Sequence, residues 1–179
     1  MNYQDVTSFW FDELTPKQWW VQDDTIDVLI RQRFASLHAI TAKGKLLSWR
    51  GEAEGRLAEI IVLDQFSRNI YRGSPLAFAC DDLALELAQE AIVLGSDQML
   101  PTEKRAFLYM PYMHSESKAV HDEAAWLFSQ PGMERNLEFE YKHKVIIDRF
   151  GRYPHRNKIL DRESTPEEID FLKQPDSAF

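Results

Sequence analysis

Three short segments of the chain carry the side chains that could do chemistry. They are LDQFSRNIYRG at 63–73, YMPYMHSES at 109–117 and DRFGRYPHRN at 148–157. Each segment follows an apolar helical pattern and then places arginine, asparagine, histidine, tyrosine and carboxylate residues within a few positions. This density exceeds what the solvated end of a helix needs. It indicates either a buried polar network that fixes helix packing or one composite site in a concave surface.

The first segment places an acid and a base four residues apart. At this spacing Asp64 and Arg68 share one face of a helix and can pair. Asn69 and Arg72 follow at the helix end, where the helix dipole favours cationic groups. One interpretation is an anion cradle in which Asp64 orients Arg68. The other interpretation is a structural ion pair followed by a helix C-cap.

The second segment combines a phenol, an imidazole and a carboxylate. Tyr112, His114 and Glu116 carry the groups needed for proton transfer near neutral pH. Residues two apart do not share a helix face, so the three side chains converge only if the chain is irregular here. The alternative is an aromatic core position followed by a Ser–Glu helix start.

The third segment is a basic patch in an acidic protein. Arg152, His155 and Arg156 lie between Arg149 and Lys158 without one carboxylate, although the formal net charge of the chain is −8. Such a patch suits a small anion, or a carboxylate of the protein itself. The overall charge argues against a general nucleic-acid binder, because phosphate neutralisation supplies most non-specific affinity. It also argues against docking on an anionic membrane.

Another histidine, His143, lies within the apolar stripe of a predicted helix. A single histidine in such a position is typical of a neutral, hydrogen-bonded core residue. If His143 contacts Asp64 or Glu116, it joins the segments to one another. We treat this contact as a specific prediction.

The dipeptide His121-Asp122 is similar to the His-Asp pair of helical metal-dependent phosphohydrolases. Such a site also needs a separate histidine and a further carboxylate, for which His38 and Asp148 are the candidates. The surrounding run SESKAVHDEAA is typical of a solvated helix face. The chain also lacks Cys–His zinc spacing, a Gly-rich phosphate loop, a nucleophile-elbow serine and a dinucleotide fingerprint. We therefore expect no metal and no cofactor.

Helical periodicity runs through almost the whole chain, and the alternation typical of strands is nearly absent. With 44% hydrophobic and 12% aromatic residues, the chain can build a packed core. The pattern predicts one all-α domain over residues 1–179, with about eight helices stacked as helical hairpins in a bundle or short solenoid. Four predicted helices have both ends defined, and they cover 6–14, 56–70, 76–94 and 134–150. Two more begin at residue 24 or 25 and at residue 102, and Pro111 kinks or restarts the second of these. A further helix is capped by Ser115 or Ser117, and a short last helix begins at residue 165.

The cysteine content and the N-terminus indicate a compartment. Cys80 is the single cysteine, so no internal disulfide can form and a reducing cytoplasm is expected. The N-terminal run MNYQDVTSFWFDEL lacks the features of a signal peptide. No apolar run reaches the roughly 18 residues of a membrane span. The sequence leaves the oligomeric state open.

Long motifs of the chain resemble a known bacterial family, domain of unknown function 924. The motifs are FWF, Trp19-Trp20, GRLAEIIVLDQFSRNIYRG, AFACDDLAL, RAFLYMPYMHSES and FGRYPHRN, in this order from about residue 9 to residue 157. The resemblance implies a helical fold of the tetratricopeptide-like superfamily and implies no activity. Ser67 stands where the family motif LDQF-x-RN has proline, and HSES continues as KAVHD. Neither departure touches the candidate site residues.

Three functional hypotheses follow. In the first, the protein is a binding module whose composite site takes a small anionic molecule, or an acidic or C-terminal peptide. Its predicted ligand-binding residues are Arg68, Asn69, Arg72, Tyr112, His114, Arg152, His155, Arg156 and Asn157, with Trp19, Trp20 and Tyr71 as further walls.

The second hypothesis is a hydrolase that acts on a phosphate- or carboxylate-bearing substrate. Its catalytic candidates are His114 or His155 as acid and base, with Asp64 or Glu116 as the orienting partner, and the arginines stabilise charge. In the third hypothesis the motifs are purely structural, and the function lies on an external protein interface.

Overall fold

The computed structural model describes residues 1–175 and 177–178, and this part of the chain contains helices, turns and no strand. The α-helices are α1 (Tyr3–Ser8), α2 (Asp24–Thr41), α3 (Ala53–Ile61), α4 (Ser67–Ile70), α5 (Asp81–Val93), α6 (Thr102–His114), α7 (Lys118–Phe128), α8 (Glu134–Phe150) and α9 (Pro166–Phe171). Short 3₁₀ turns lie at Pro16–Trp19, Leu47–Gly51, Pro75–Ala77, Asp97–Met99 and Pro154–Arg156. The all-α prediction is confirmed.

Two of the helical stretches contain a π turn, in which the hydrogen-bond ladder shifts from i→i+4 to i→i+5. The first π turn, Phe9–Glu13, continues α1 directly. The second π turn, Val62–Phe66, joins α3 to α4 without a break. The sequence predicts a regular α-helix over both stretches, because one additional residue in a turn hardly changes the spacing of the apolar residues.

Several helix boundaries differ from the predicted ones. Asp23 caps α2, since its side chain accepts hydrogen bonds from the backbone of Thr25 and Ile26, one residue before the predicted caps. The predicted helix at 76–94 begins only at Asp81, because Ser74 and proline open a 3₁₀ turn instead. Pro111 does not restart the helix, because α6 continues to His114, and the kink at Pro111 stays a prediction.

The helix α3 lies at the centre of the apolar core. Every side chain from residue 57 to residue 61 is at most 1% exposed, and α3 packs against α1, α5 and α6. A helix that is buried all round needs apolar residues on all faces. Beside it, the rings of Phe9, Phe34 and Phe66 pack together with centroids 4.8–6.0 Å apart.

Consecutive helices pack on one another in the second half of the chain. Contacts join α5 to α6, α6 to α7 and α7 to α8. This order agrees with helical pairs, while the tetratricopeptide-like assignment stays a prediction. No helix among the described residues combines the length and the apolar character needed to cross a membrane.

A glycine turn directs the third polar segment back onto the helices. Gly151 ends α8 in the left-handed conformation with φ 68°, which glycine adopts without steric cost. A small apolar cluster of Ile146, Ile147 and Tyr153, with Phe150 and Phe171 packed against it, then fixes this segment. The turn and the cluster place His155 and Arg156 beside the end of α6.

Candidate functional site

A cleft of about 850 Å³ lies between the N-terminal turns, α4, α6, α8 and the segment after Gly151. This volume is in the range of small-molecule sites. Its lining has two parts. Trp10, Trp19, Trp20 and Phe107 form what we call the aromatic lining, and Arg68, His114, His155 and Arg156 form the polar lining. The helix α6 joins the two parts, because Phe107 and His114 lie on one face of it, about two turns or roughly 10 Å apart.

The aromatic lining is organised around Phe107. The Phe107 ring contacts Trp10 and Trp19 edge-on at 5.6 and 5.1 Å between centroids. Trp20 stacks on the same ring at 5.6 Å and 14°. Trp19 Nε1 donates to the backbone oxygen of Trp10 at 2.8 Å, whereas Trp10 Nε1 is buried without a partner among residues 1–175 and 177–178. The cleft therefore has an apolar end built from packed rings.

Both π turns contribute residues to the cleft. The first π turn carries Trp10, and the second carries Asp64 and Gln65, of which Trp10 and Gln65 line the cleft. Such turns occur frequently at functional sites, because the additional residue redirects neighbouring side chains. The irregular helices and the cleft thus coincide.

Asp64 and His114 form a buried hydrogen-bonded pair. His114 Nδ1 lies 2.6 Å from Asp64 Oδ1, and Gln65 Nε2 donates to Asp64 Oδ2 at 2.6 Å. Burial raises the pKa of Asp64, but His114 and Arg68 outweigh this effect and hold the pKa at about 2. Burial and the charge of Arg68 lower the pKa of His114 below its ordinary value of 6.5. At neutral pH the pair is a carboxylate and a neutral imidazole.

Asp81 joins the two arginines of the polar lining. It accepts from Arg68 at 3.0 and 3.1 Å and from Arg156 at 3.3 Å. Arg156 also donates to the backbone oxygen of His114 at 3.1 Å. Its guanidinium lies between the rings of Phe78 and Tyr153, at 4.6 and 4.5 Å from their centroids.

His155 and Arg156 keep buried polar atoms without partners. His155 Nδ1 and Arg156 Nε are buried and accept or donate no hydrogen bond within the described part of the chain. Burial and the neighbouring Arg156 lower the pKa of His155 to about 4, so its imidazole is neutral. Burial and the charge of Arg68 lower the pKa of Arg156.

Six of the nine predicted ligand-binding residues line the cleft. They are Arg68, Asn69, Arg72, His114, His155 and Arg156. The anion cradle predicted for the first segment is already occupied by a carboxylate of α2. Asp27 accepts from Asn69 at 2.8 Å and forms a bidentate pair with Arg72. Asp27 was not among the predicted residues, although a carboxylate in line with the apolar Ile30 and Phe34 signals a buried partner.

The other three predicted residues lie outside the cleft. Arg152 pairs with Glu168 of α9 at 2.7 and 2.8 Å, and Asn157 donates to the same carboxylate at 3.2 Å. Tyr112 is 3% exposed within the core, and burial raises its pKa to about 12. Glu168 also closes the capping box of α9, so this group holds the last helix in place.

Glu116, the alternative orienting carboxylate, is engaged elsewhere. It receives Arg162 at 2.6 and 2.9 Å and the backbone N–H of Tyr153 at 2.7 Å. It lines a second cavity of about 230 Å³, which His114 also lines. Phe78, His114 and Arg156 line both cavities.

The two remaining histidine predictions have different outcomes. His143 Nδ1 faces the backbone oxygen of Phe139 at 2.8 Å, and burial lowers the pKa of His143 to about 3, as expected of a neutral core histidine. His114 makes the contact with Asp64 that was predicted for His143. His121 was expected on a solvated helix face, yet it is 0% exposed and lies 2.6 Å from Glu140. The packing of α7 on α8 buries this face.

The phosphohydrolase arrangement does not form around His121. His38, one of its candidate ligands, is buried and lies 2.7 Å from Ser67 Oγ, and Asp148 pairs with Lys144. Among residues 1–175 and 177–178, no three histidine, cysteine or acidic side chains are placed to hold a metal ion.

The fold and cleft define an all-α protein with an amphipathic pocket. The chain belongs to the family described as bacterial protein of unknown function (DUF924), whose model matches residues 6–176. It is similar to the solved structure of the protein of unknown function ATU0120 from Agrobacterium tumefaciens. The two chains are 38% identical over 96% of each, with a TM-score of 0.91. No curated protein matches the chain.

Proposed function

We propose that the cleft binds a small molecule with a flat apolar body and one carboxylate group. The observation that carries this proposal is the set of buried polar atoms without partners beside an aromatic surface. Trp10 Nε1, His155 Nδ1 and Arg156 Nε belong to cleft residues and have no partner in the described chain. Leaving such a group unpaired costs about 1–3 kcal/mol, so each one needs an explanation. Because these atoms have almost no accessible area, a bound ligand supplies one once the side chains turn toward the cleft.

The charge distribution favours a ligand with a single negative charge. Asp64 and Asp81 already balance the charges of Arg68 and Arg156. At the edge of the cleft the exposed Arg135 lies 5.9 Å from the Phe139 ring, and the exposed Glu103 also lines the cleft. Neither side chain forms an ion pair in the described chain. The lining therefore has no excess positive charge for a phosphate dianion, whereas a single carboxylate can pair with Arg135.

The aromatic lining suits the apolar body of the ligand. Trp20 is 48% exposed and Trp19 is half-buried, so ring surface is available next to the Phe107 edge. Aromatic pairs contribute about 0.5–1.5 kcal/mol beyond the burial of area. The C-terminal residue of a peptide also carries one carboxylate, and an aromatic side chain there would satisfy the same chemistry.

The proposal is tested by thermal unfolding with matched ligands. Naphthoate, its neutral amide naphthamide and an aliphatic carboxylate are compared at increasing concentration. Naphthoate at 100 times its dissociation constant should add about 2.7 kcal/mol, or about 5–11 °C for a chain of this size. The amide and the aliphatic acid should shift the melt much less, because each lacks one of the two recognised features.

The variant Arg135→Gln sharpens this test. Since Arg135 has no ion-pair partner in the described chain, its removal should leave the unliganded melt unchanged and reduce the naphthoate shift. Arg33→Gln, which removes an exposed arginine that pairs with Glu13, is the matched control. If no carboxylate shifts the melt, the cleft is not this site, and the external-interface hypothesis is favoured.

A further inference from the structure

We propose that His114 is a general base in this cleft and that the protein hydrolyses an ester or amide of an apolar carboxylic acid. The inference rests on the proposed function, because the apolar acyl part of the substrate would occupy the aromatic lining that the proposed ligand occupies. It assigns the role of Asp64 as well. Asp64 positions the imidazole and does not touch the substrate.

The first observation is the geometry of the pair. Asp64 is 0% exposed and accepts from Gln65 on one oxygen, while its other oxygen lies 2.6 Å from His114 Nδ1. A carboxylate held on both oxygens cannot rotate away. Because this carboxylate is ionised, it accepts the Nδ1 proton, and the lone pair of the neutral imidazole is fixed on Nε2.

The second observation is that Nε2 is available. No residue of the described chain forms a hydrogen bond with His114 Nε2, and the His114 side chain is 13% exposed. His155 has no carboxylate on either ring nitrogen, and Glu116 is engaged by Arg162. Of the catalytic candidates in the sequence, only His114 combines an orienting partner with an open nitrogen.

The third observation is that His114 lines two cavities. One is the cleft, and the other is the smaller cavity of about 230 Å³. The smaller cavity combines apolar residues such as Leu85 and Leu160 with the polar residues Asp82, Ser115 and Glu116. A substrate whose scissile bond lies at His114 would place its apolar acyl part in the cleft and its leaving group in the smaller cavity.

The charges around His114 favour acyl transfer over other hydrolytic reactions. Phosphoryl transfer needs excess positive charge, yet Asp64 and Asp81 balance Arg68 and Arg156. Glycoside hydrolysis needs two available carboxylates, and Asp64 is fully buried. Acyl hydrolysis needs one base and hydrogen-bond donors for a transient oxyanion, which this site contains.

The proposed reaction balances with water as the co-reactant. His114 Nε2 takes a proton from water while the water oxygen forms a bond to the carbonyl carbon. The carbonyl electron pair moves to oxygen, and N–H groups of Arg68 and Arg156 donate hydrogen bonds to this oxyanion, while Asp64 and Asp81 balance the net charge of the two arginines. The tetrahedral intermediate then breaks its bond to the leaving oxygen or nitrogen, which takes the proton back from His114. The products are the carboxylic acid and an alcohol or amine.

The test uses para-nitrophenyl esters and para-nitroanilides of naphthoic and phenylacetic acids. The wild type should release the chromophore, and His114→Gln should lower kcat at least about 100-fold, which is the usual contribution of general-base catalysis. The wild-type kcat/KM should fall as the pH decreases through the lowered pKa of His114, below 6.5. The residual rate of His114→Gln should lack this acid limb.

Asp64→Asn examines the positioning role. It should lower kcat with little change in KM, because the imidazole loses its orienting anion. It should also change the pH at which kcat/KM falls on the acid side of the profile. Asp97→Asn is the matched control, since Asp97 is a carboxylate 3% exposed that accepts from Tyr109 outside the cleft. Should Asp64→Asn fail to fold, His114→Gln and the pH profile decide the question alone.

The melt with naphthoate separates the two proposals. If naphthoate stabilises the protein and no ester or anilide is cleaved, the binding proposal stands and the catalytic one is overturned. If neither occurs, both are overturned. A hydrolysis rate that His114→Gln leaves unchanged also overturns the inference, because the activity then belongs to other surface groups.

Discussion

The two linings of the cleft are held in place by different forces. The aromatic lining is fixed by ring contacts around Phe107, with one hydrogen bond from Trp19 to the chain. The polar lining is fixed by charged hydrogen bonds, so that Asp81 serves two arginines and His114 contacts two further groups. The burial of ring surface is a non-directional contribution, whereas a charged network is directional and its members share partners. We therefore expect a substitution in the polar lining to disturb several residues. A substitution in the aromatic lining should disturb only its immediate neighbours.

The largest effect is expected for Asp81→Asn. This change removes the negative charge that Arg68 and Arg156 share, while the side-chain shape is kept. Removing the charge of one partner in a buried ion pair costs about 3–5 kcal/mol of stability, because the charge of the other partner is then uncompensated. Urea denaturation at neutral pH measures the free energy of unfolding.

An exposed ion pair provides the baseline for this prediction. Glu13 and Arg33 form a bidentate pair with side chains 50% and 36% exposed. Glu13→Gln should cost no more than about 1 kcal/mol, as is usual for surface pairs. If Asp81→Asn costs no more than Glu13→Gln, the network does not stabilise the fold and the contrast between the two linings is wrong.

A smaller effect is expected from pH. The pKa of His155 is about 4 in the folded protein, below its ordinary value of 6.5. Between these values the unfolded chain binds more protons, so the free energy of unfolding should decrease as the pH falls from about 6.5 to about 4. Because His155 is partly exposed, we expect its share to be about 1–2 kcal/mol.

His155→Gln isolates this contribution. The variant cannot be protonated at this position, so its unfolding free energy should decline less than that of the wild type between about pH 7 and about pH 4.5. Equal declines would mean that the pKa of His155 is the same in the folded and the unfolded protein. The polar lining would then gain a positive charge already near pH 6.5.

The smallest change in stability is expected in the aromatic lining. Trp20→Ala removes a ring that stacks on Phe107 but is 48% exposed, so the loss should be below about 1 kcal/mol. The naphthoate shift should decrease all the same, because the ring surface offered to the ligand is lost. Trp126→Ala, which removes a ring 70% exposed outside the cleft, should change neither quantity.

The fold was largely predictable because it depends on hydrophobic periodicity. The all-α class and the range of α8 follow from apolar spacing and from the glycine at its end. The Asp64–Arg68 pair was predictable as well, since residues four apart in one helix are neighbours, and the two side chains lie 3.3 Å apart. The π turns were missed because they leave the apolar pattern nearly unchanged.

The partners of the site residues were not predictable to the same degree. Asp27, Asp81 and Glu168 each neutralise predicted site residues from another helix. Asp27 is 45 positions from Arg72 in the sequence, and Asp81 is 75 positions from Arg156. Local spacing says nothing about such pairs, because they depend on how the helices pack.

The second π turn is a place where the length of a helix can vary. A π turn holds one residue more than an α-helical turn over nearly the same rotation, so deleting one residue from Val62–Phe66 would restore regular α-helical geometry and leave the later residues nearly in place. Arg68 and Asn69 would stay in the cleft, and Ile70 would stay in the core. A deletion in the regular turns of α3 would instead rotate every later residue by about 100° and shift it by about 1.5 Å. Inherited variants that differ by one residue between Ala53 and Ile70 are therefore expected to differ within the π turn.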